Sequence, residues 1–253
     1  MKKKEVKVIG LIPTRLNSQR LPQKALMPIN GIPLVVHTYK RAKLCKRLSE
    51  VFICCDDEKI AKAAKKFGAK VILTSKYHKN GTERIFEASK KINKNYDLIV
   101  DIQGDEPLIS PYHIDKVIEF HEKNLKSDII LPTLKVKSKN NTNLIKVIKD
   151  ISNNVIYLSR GNIPFEYKKT IQSIDKHLSV ISFKPAALEK FALHKKTPLE
   201  KIEDIELLRA IEIGLNIKTI SLKGDSFSVD VIDDFEKASK KMINDKFFKL
   251  YKI

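Results

Sequence analysis

Two arginines and a lysine stand close together in the stretch IPTRLNSQRLPQKAL, residues 12–26. The planar guanidinium of arginine can engage two phosphate oxygens at once, whereas lysine supplies a movable point charge. Arg15, Arg20 and Lys24, with the Ser18 hydroxyl as a further donor, therefore have the chemistry to surround a triphosphate. The alternative is a solvated basic loop, since the stretch has neither a Walker pattern nor a G-x-G-x-x-G sequence.

An acidic pair follows a buried strand pattern in QGDEP, residues 103–107. Carboxylates in that position are costly without a partner, and Mg²⁺ held by one or two carboxylates and phosphate oxygens is a natural one. Asp105 is the first candidate ligand, and Asp230 in SVDVIDDFE is the second. A helix N-cap is the alternative for Asp230, although Asp233 fits that position equally well. Gly104 permits a sharp turn that brings the backbone close to a ligand.

A third polar segment, HKNGTERIFEASKKI, runs into a predicted helix. Free backbone N–H groups at the start of a helix favour anions or polar base edges, so Gly81 and Arg84 are candidates for nucleotide binding. Glu83 fits a capping box equally well, which leaves a purely structural role open for this segment.

The elements that must position these residues are strands and helices in alternation over the first 125 residues. This pattern predicts right-handed crossovers and a parallel sheet covered on both faces. Such sheets bind ligands at the carboxyl ends of their strands, so the basic loop, Asp56–Asp57 and QGDEP are expected at one edge. Predicted helices cover residues 33–46, 57–67, 82–92 and 111–124.

After residue 125 the pattern loosens, and the predicted strands are DIILPTLKVK, LIKVIKD, NNVIYLSRG, HLSVISF and NIKTISL. Helices are predicted near 186–194, at 199–214 and from about 233. No linker separates independent domains. We interpret residues 1–253 as a single domain, with an insertion at approximately 128–200 that returns to complete the sheet.

The net charge of +19 comes mainly from lysine, which supplies 42 of the 49 basic residues and is spread over nearly every predicted helix. That distribution is typical of a solvated surface, and no recognised nucleic-acid-binding module accompanies it, so nucleic-acid binding is the least favoured function. No apolar stretch reaches the roughly 18 residues that cross a bilayer, and we expect a cytoplasmic protein without a membrane span. Cys45, Cys54 and Cys55 lack metal-ligand spacing and are expected to be reduced, buried thiols.

In their order and spacing, the motifs resemble those of the CMP-KDO synthetases (3-deoxy-manno-octulosonate cytidylyltransferases). The signature IPAR..S.RLP.KPL of that family is similar to residues 12–26, and its SGTER is similar to NGTER, with Asn80 in place of serine. QGDEP is identical, and YLSRGNIPF, residues 157–165, resembles YFSRATIPW. HLSV, TPLEKIEDIELLR and the VD pair at 229–230 also match, so the resemblance covers essentially the whole chain.

The resemblance implies an α/β fold with a Rossmann-like, mostly parallel sheet, the GT-A-like nucleotidyltransferase fold, with an inserted dimerisation subdomain. It implies attack of a sugar's anomeric hydroxyl on the α-phosphorus of CTP, release of pyrophosphate, and Mg²⁺ held by Asp105 and Asp230. Arg15 and Lys24 would join these two as catalytic residues. The implied CTP-binding residues are Pro13, Arg15, Ser18, Arg20, Lys24, Asn80, Gly81, Arg84 and Gln103, and the implied sugar-binding residues are Gln103, Arg160, His177, Ile181, Glu206 and Leu207.

Two positions depart from the family's sugar pocket. Ile181 stands where the family has a tyrosine, and Leu207 where it has a glutamine. Loss of a hydroxyl and an amide removes hydrogen bonds that a hydroxyl-rich sugar would need. We therefore expect KDO or a close 3-deoxy-ulosonic acid with a modified tail, such as an amino-deoxy analogue. A heptulosonate or a sialic-acid-like substrate stays open. The resemblance also implies a homodimer and a product destined for lipopolysaccharide or capsule.

Two other interpretations remain. A sugar-1-phosphate nucleotidyltransferase would use the same type of reaction, but that class carries a glycine-rich loop, and this chain has no glycine between Gly10 and Gly31. A protein that binds CTP without catalysis is the second, and the presence of Lys24, Asp105 and Asp230 disfavours it.

Overall fold

The computed structural model describes residues 6–18, 20–137 and 141–252, and the chain forms two compact units. The first unit comprises Met1–Lys116 and Ser226–Ile253, and the second comprises Val117–Asp225. The insertion expected at about 128–200 therefore lies within the second unit.

The first unit contains a parallel four-stranded sheet. Its elements begin with β1 (Val8–Pro13), β2 (Pro28–Ile29), β3 (Ile32–Pro33), α1 (Leu34–Lys43), β4 (Glu50–Cys55), α2 (Glu58–Lys66), β5 (Val71–Leu73), α3 (Gly81–Lys91), β6 (Leu98–Ile102) and α4 (Pro111–Lys123), and the boundary between the units falls within α4. The sheet order is β5-β4-β1-β6, and each pairing is parallel. Every residue of β1 and β6 is buried, as expected for strands covered on both faces.

The alternation of strands and helices predicted for this part of the chain is confirmed, with helix ends that differ by a few residues. The β2–β3 hairpin was not predicted. Asn30 and Gly31, its two loop residues, have φ values of 47° and 80°. Asn-Gly between two apolar pairs is a strong signal for such a turn, so the sequence did contain the information.

The second unit contains a mixed sheet, and its described residues include the end of α4 and three further short helices. Its elements are β7 (Ile129–Val136), β8 (Lys146–Lys149), β9 (Val155–Ser159), β10 (Ile174–His177), β11 (Val180–Phe183), α5 (Pro185–Leu193), α6 (Pro198–Glu203), α7 (Glu206–Glu212) and β12 (Ile217–Leu222). β7 pairs in parallel with β12 and antiparallel with β10 and β11. β8 pairs antiparallel with both β10 and β9.

Two predictions in this unit were wrong. HLSVISF was predicted as one strand, but β10 ends at His177 and β11 begins at Val180. Leu178 N–H still donates in register to the Pro132 carbonyl, but proline has no N–H to return the bond, and the Leu178 carbonyl accepts from Val180 N–H instead. The single helix predicted at 199–214 is broken at Asp204, whose φ is 50°. No glycine or proline marks that break, so helical periodicity alone could not reveal it.

After the second unit the chain returns to the first, where α8 (Ile232–Ile243) packs on the hairpin. Ala238 and Met242 of α8 form a buried cluster with Ile29, Leu34 and Val229. Burial of Val229 fixes the position of the residue that follows it, Asp230. Among the described residues no helix is both long and apolar enough to cross a membrane.

Candidate functional site

The ammonium of Lys24 lies between two carboxylates in the first unit. Its Nζ donates to Asp105 Oδ2 at 2.8 Å and to Asp230 Oδ1 at 3.2 Å. A third hydrogen bond, of 2.8 Å, goes to the carbonyl of Val229. These contacts use the three donors of an ammonium group, and the Lys24 side chain is only 16% exposed. The two candidate metal ligands are thus adjacent, and a cationic group joins them.

A backbone hydrogen bond brings the two aspartates together. Val229 N–H donates to the Asp105 carbonyl at 2.9 Å, so the segment before α8 runs beside the turn that follows β6. The N-cap alternatives for Asp230 and Asp233 were wrong, because Val231 occupies that position and Asp234 accepts from the backbone N–H groups of Asp230 and Val231. The carboxylate of Asp230 is therefore available to cations.

Asp230 also pairs with Arg20, whose guanidinium lies 2.9 Å from Oδ1. The Arg20 side chain is 62% exposed, so this ion pair is screened by water and weak. Two of the cations predicted to bind phosphate thus neutralise the two carboxylates predicted to bind metal. Arg15 is exposed and Ser18 is half-buried in the same loop.

Three segments meet at Pro13, the last residue of β1. A methyl group added at Gly104 would lie 2.7 Å from the Pro13 carbonyl oxygen, and one at Gly81 would lie 3.2 Å from Pro13 Cγ. Gln103 donates from Nε2 to Asp101 Oδ2 at 2.8 Å. The close approach that Gly104 permits is to the backbone of β1, so this glycine sets the distance between the basic loop and the acidic pair.

Arg84 is buried inside the first unit, with only 3% of its surface exposed. Its Nη1 donates to Thr74 Oγ1 at 2.7 Å and to the Ser75 carbonyl at 3.2 Å, and its Nη2 lies 3.4 Å from Asp56 Oδ2. The guanidinium is thus engaged by side chains and backbone of neighbouring loops.

Asn80 caps helix α3, which is the structural alternative considered for this segment. Its Oδ1 accepts from Glu83 N–H at 2.9 Å, and Glu83 in turn accepts from Asn80 Nδ2 and from Lys79 N–H. Such reciprocal bonds satisfy donors that a helix start leaves open. Gly81 follows as the first residue of α3.

The donor set at Asp105 and Asp230 fits Mg²⁺. Both ligands are carboxylates, the two share one bridging cation, and Mg²⁺ in phosphate-handling sites is commonly held by one or two carboxylates plus substrate oxygens. Within residues 6–18, 20–137 and 141–252 no group of three or more His, Cys, Asp or Glu side chains is arranged to hold a metal. Substrate oxygens would therefore complete the coordination.

The sugar-pocket candidates lie in the second unit. Arg160 donates from Nε, Nη1 and Nη2 to the carbonyls of Glu203, Thr142 and Asp204, which uses three of the five N–H groups of its fork. His177 ends β10, where burial, and then the charge of Lys176, lower its pKa to about 4.

The two departures from the family pattern are buried apolar residues. Ile181, in β11, is 7% exposed, and Leu207, in α7, is 4% exposed. Glu206, the first residue of α7, is half-buried beside Leu207. An ion pair joins α7 to α6: Arg209 Nη2 donates to Glu200 Oε1 at 3.0 Å, and Arg209 Nε lies 2.9 Å from Glu200 Oε2. This pair fixes the helix that carries Glu206 and Leu207.

Residues 9–220 match the family model described as Cytidylyltransferase. A 3-deoxy-manno-octulosonate cytidylyltransferase of a Nitratiruptor species is 38% identical over 244 residues, which are 94% of this chain and 99% of the relative. An 8-amino-3,8-dideoxy-manno-octulosonate cytidylyltransferase of Shewanella baltica is 36% identical over 93% of this chain and 98% of that protein. A solved CMP:2-keto-3-deoxy-manno-octonic acid synthetase in complex with CTP superposes with a TM-score of 0.89 at 28% identity, covering 94% of this chain and 98% of the other.

Proposed function

Since the chain belongs to the cytidylyltransferase family, we propose that it transfers the cytidylyl group of CTP to a 3-deoxy-ulosonic acid, KDO or a close analogue, and releases pyrophosphate. The contact of Lys24 with Asp105 and Asp230, on a loop that also carries Arg15 and Arg20, is the observation that carries this proposal. The names of the relatives and of the CTP complex support the same substrates.

Reaction at the α-phosphorus forms a bond to the anomeric oxygen of the sugar acid and breaks the bond to pyrophosphate. Catalysis of this kind depends on positioning and on neutralisation of charge. Arg15, Arg20 and Lys24 bind the triphosphate and stabilise the departing pyrophosphate. The turn at Gly104 holds Asp105 at a fixed distance from that loop, because it packs against the Pro13 carbonyl.

Asp105 and Asp230 would hold Mg²⁺ together with phosphate oxygens, and the bound ion supplies further neutralisation of the triphosphate. Lys24 and Arg20 pair with the same carboxylates in the structure. Their release from Asp105 and Asp230 frees their N–H groups for phosphate. The site thus exchanges internal ion pairs for contacts to substrate, which keeps its charges compensated in both states.

For the sugar acid, Arg160 is the candidate for the carboxylate, since its contacts among the described residues engage three of its five N–H groups and its side chain is half-buried, which leaves donors for a substrate. His177 and Glu206 are candidates to bind hydroxyl groups of the sugar acid. Ile181 and Leu207 are candidates to contact its modified tail. Pro13, Ser18, Asn80, Gly81 and Gln103 would bind CTP, and Arg84 would act through its neighbour Asp56. An amino-deoxy acceptor is the second candidate, since an 8-amino-3,8-dideoxy-manno-octulosonate cytidylyltransferase is 36% identical to this chain.

The experiment is pyrophosphate release with CTP, Mg²⁺ and one acid at a time: KDO, 8-amino-8-deoxy-KDO, a 3-deoxy-heptulosonate or N-acetylneuraminate. Release with a 3-deoxy-ulosonate, abolished by Asp105→Asn, supports the function. Equal or better turnover of plain KDO than of each analogue removes the case for a modified tail. CTP binding without release for any acid would instead indicate a catalytically silent protein.

The proposal extends to the compartment, the oligomeric state and the use of the product. A cytoplasmic homodimer would make the activated sugar for lipopolysaccharide or capsule. Light scattering on the eluting protein measures the oligomeric state, and a monomeric mass at working concentration would remove the dimer from the proposal.

A further inference from the structure

Asp56 follows β4 directly, and both of its carboxylate oxygens are engaged. Oδ1 accepts from the backbone N–H of Leu16 at 2.9 Å, and Oδ2 lies 3.4 Å from Arg84 Nη2. The Asp56 side chain is 13% exposed and that of Arg84 is 4% exposed, so this ion pair is largely shielded from water. Asp56 therefore joins the loop after β1 to an internal cation.

The loop after β1 folds back at Leu16, whose backbone N–H and carbonyl are both hydrogen-bonded. Its carbonyl accepts from Ser18 N–H and from Gln23 N–H, both at 3.2 Å, while its N–H is held by Asp56. Arg15 directly precedes Leu16, and Lys24 directly follows Gln23. The orientation of the loop's cations therefore depends on where Asp56 holds Leu16.

Arg84 extends the same network to a third segment. Its Nη1 donates to Thr74 Oγ1 and to the Ser75 carbonyl, just after β5 and before helix α3. A guanidinium so engaged and only 3% exposed has little surface left for a nucleotide. Its contacts fit a counter-ion that holds Asp56 in place.

We infer that Asp56 is a positioning residue for the triphosphate-binding loop and that Arg84 acts through Asp56. This inference rests on the proposed function and assigns a role to a carboxylate that neither binds metal nor touches substrate. Without the Asp56 acceptor, the Leu16 peptide loses its anchor and the loop samples other orientations. Displacement of binding groups by about 1 Å can lower a rate by about a hundredfold.

The test compares Asp56→Ala with Asp57→Ala. Asp57 is the adjacent carboxylate, but it caps α2 by accepting from Lys59 N–H at 2.7 Å. For Asp56→Ala we expect KM for CTP to rise about tenfold or more, with KM for the sugar acid unchanged. For Asp57→Ala we expect a lower melting temperature and an unchanged KM for CTP.

If Asp56→Ala fails to fold, Asp56→Asn provides the same test. The asparagine keeps the shape of the side chain and an acceptor for Leu16 N–H, but it loses the charge that faces Arg84. We expect an intermediate KM for CTP, and little further change when Arg84→Met is added, because the two residues act as one unit. An unchanged KM for CTP in Asp56→Ala, or equal rises for both substrates, would overturn the inference.

Calorimetric titration of CTP without sugar acid makes the same comparison on binding alone. If the wild-type chain binds CTP and releases no pyrophosphate, the proposed function fails while the ratio of CTP affinities still tests Asp56. If all variants bind CTP as the wild type does, Asp56 has no positioning role, whatever the activity.

Discussion

Lys24 Nζ donates a hydrogen bond of 2.8 Å to Asp105 Oδ2, so the cation proposed for phosphate binding is paired with a carboxylate proposed for metal binding. The same ammonium contacts Asp230. An ammonium between two neighbouring carboxylates offsets their mutual repulsion. It also sets the ammonium in competition with any divalent cation for the same oxygens.

Replacement of Lys24 by methionine separates the role of its ammonium in phosphate binding from its competition with a divalent cation. We expect Lys24→Met to lower pyrophosphate release by about a hundredfold or more, because a triphosphate contact is lost. Electron paramagnetic resonance with Mn²⁺, a hard ion that also prefers oxygen ligands, should show tighter binding in the absence of nucleotide. Lys62→Met, on the exposed face of α2, is the control and should change neither. Weaker Mn²⁺ binding in Lys24→Met would contradict the competition.

Gly104→Ala tests the spacing between the basic loop and the acidic pair. The new methyl group would lie 2.7 Å from the Pro13 carbonyl, so the backbone must shift. We expect kcat/KM for CTP to fall about tenfold or more and the free energy of unfolding to fall by about 1–3 kcal/mol. Gly68→Ala, where φ is +75° and the space is open, should cost about 1 kcal/mol of stability without loss of activity. Equal activity of both variants would show that the turn tolerates displacement.

Removal of one partner from the buried pair of Arg209 and Glu200 should strongly destabilise the second unit. Glu200→Gln leaves a guanidinium that is 2% exposed without a charged partner, and we expect a loss of about 3–5 kcal/mol in urea unfolding. The exposed pair of Lys123 and Glu119 on α4 is the contrast, and Lys123→Gln should change stability by at most about 0.5 kcal/mol. Similar losses in the two variants would mean that burial does not set the strength of the pair.

Acid should destabilise the fold through buried histidines. Burial lowers the pKa of His121 to about 4 from its ordinary value of 6.5, and its Nε2–H donates to the Ser127 carbonyl at 3.2 Å. The unfolded chain therefore binds more protons between pH 6.5 and 4, so stability is present above that window and falls as the pH drops through it.

From about pH 7.5 to about pH 5, one such histidine should lower the free energy of unfolding by about 2 kcal/mol. His37, whose pKa burial also lowers to about 4, adds a similar amount. His121→Gln should show a smaller loss than the wild type in denaturant titrations at the two pH values. An identical loss would assign the acid sensitivity to other groups.

Apart from the β2–β3 hairpin, the strands and the loops of the first unit were predicted from the sequence because local patterns specify them. β1, β4, β5 and β6 are apolar runs, and the polar segments that matter follow them directly. The Lys24 contacts could not be read in the same way. Asp105 and Asp230 lie 81 and 206 positions away from Lys24, and no local pattern links residues at such separations.

The scarcity of arginine in this chain indicates more than phosphate binding, which was the role first inferred for Arg15 and Arg20. In a chain with 42 lysines, each of the seven arginines is a candidate for a place where a planar fork is needed. Arg41, Arg84, Arg160 and Arg209 use that fork on backbone carbonyl groups, which shows that phosphate is only one reason to choose arginine. The burial of Arg84 could not be read from sequence order, and its contact with the nucleotide stays a prediction.

The split of the first unit into Met1–Lys116 and Ser226–Ile253 has a consequence for biosynthesis. A nascent chain that has been translated through residue 225 contains the basic loop, Asp105 and the complete second unit. It still lacks Asp230 and the α8 residues that pack on the hairpin. Translation of the final segment therefore completes the carboxylate pair, and a ribosome that stalls before it leaves a polypeptide unable to assemble the site.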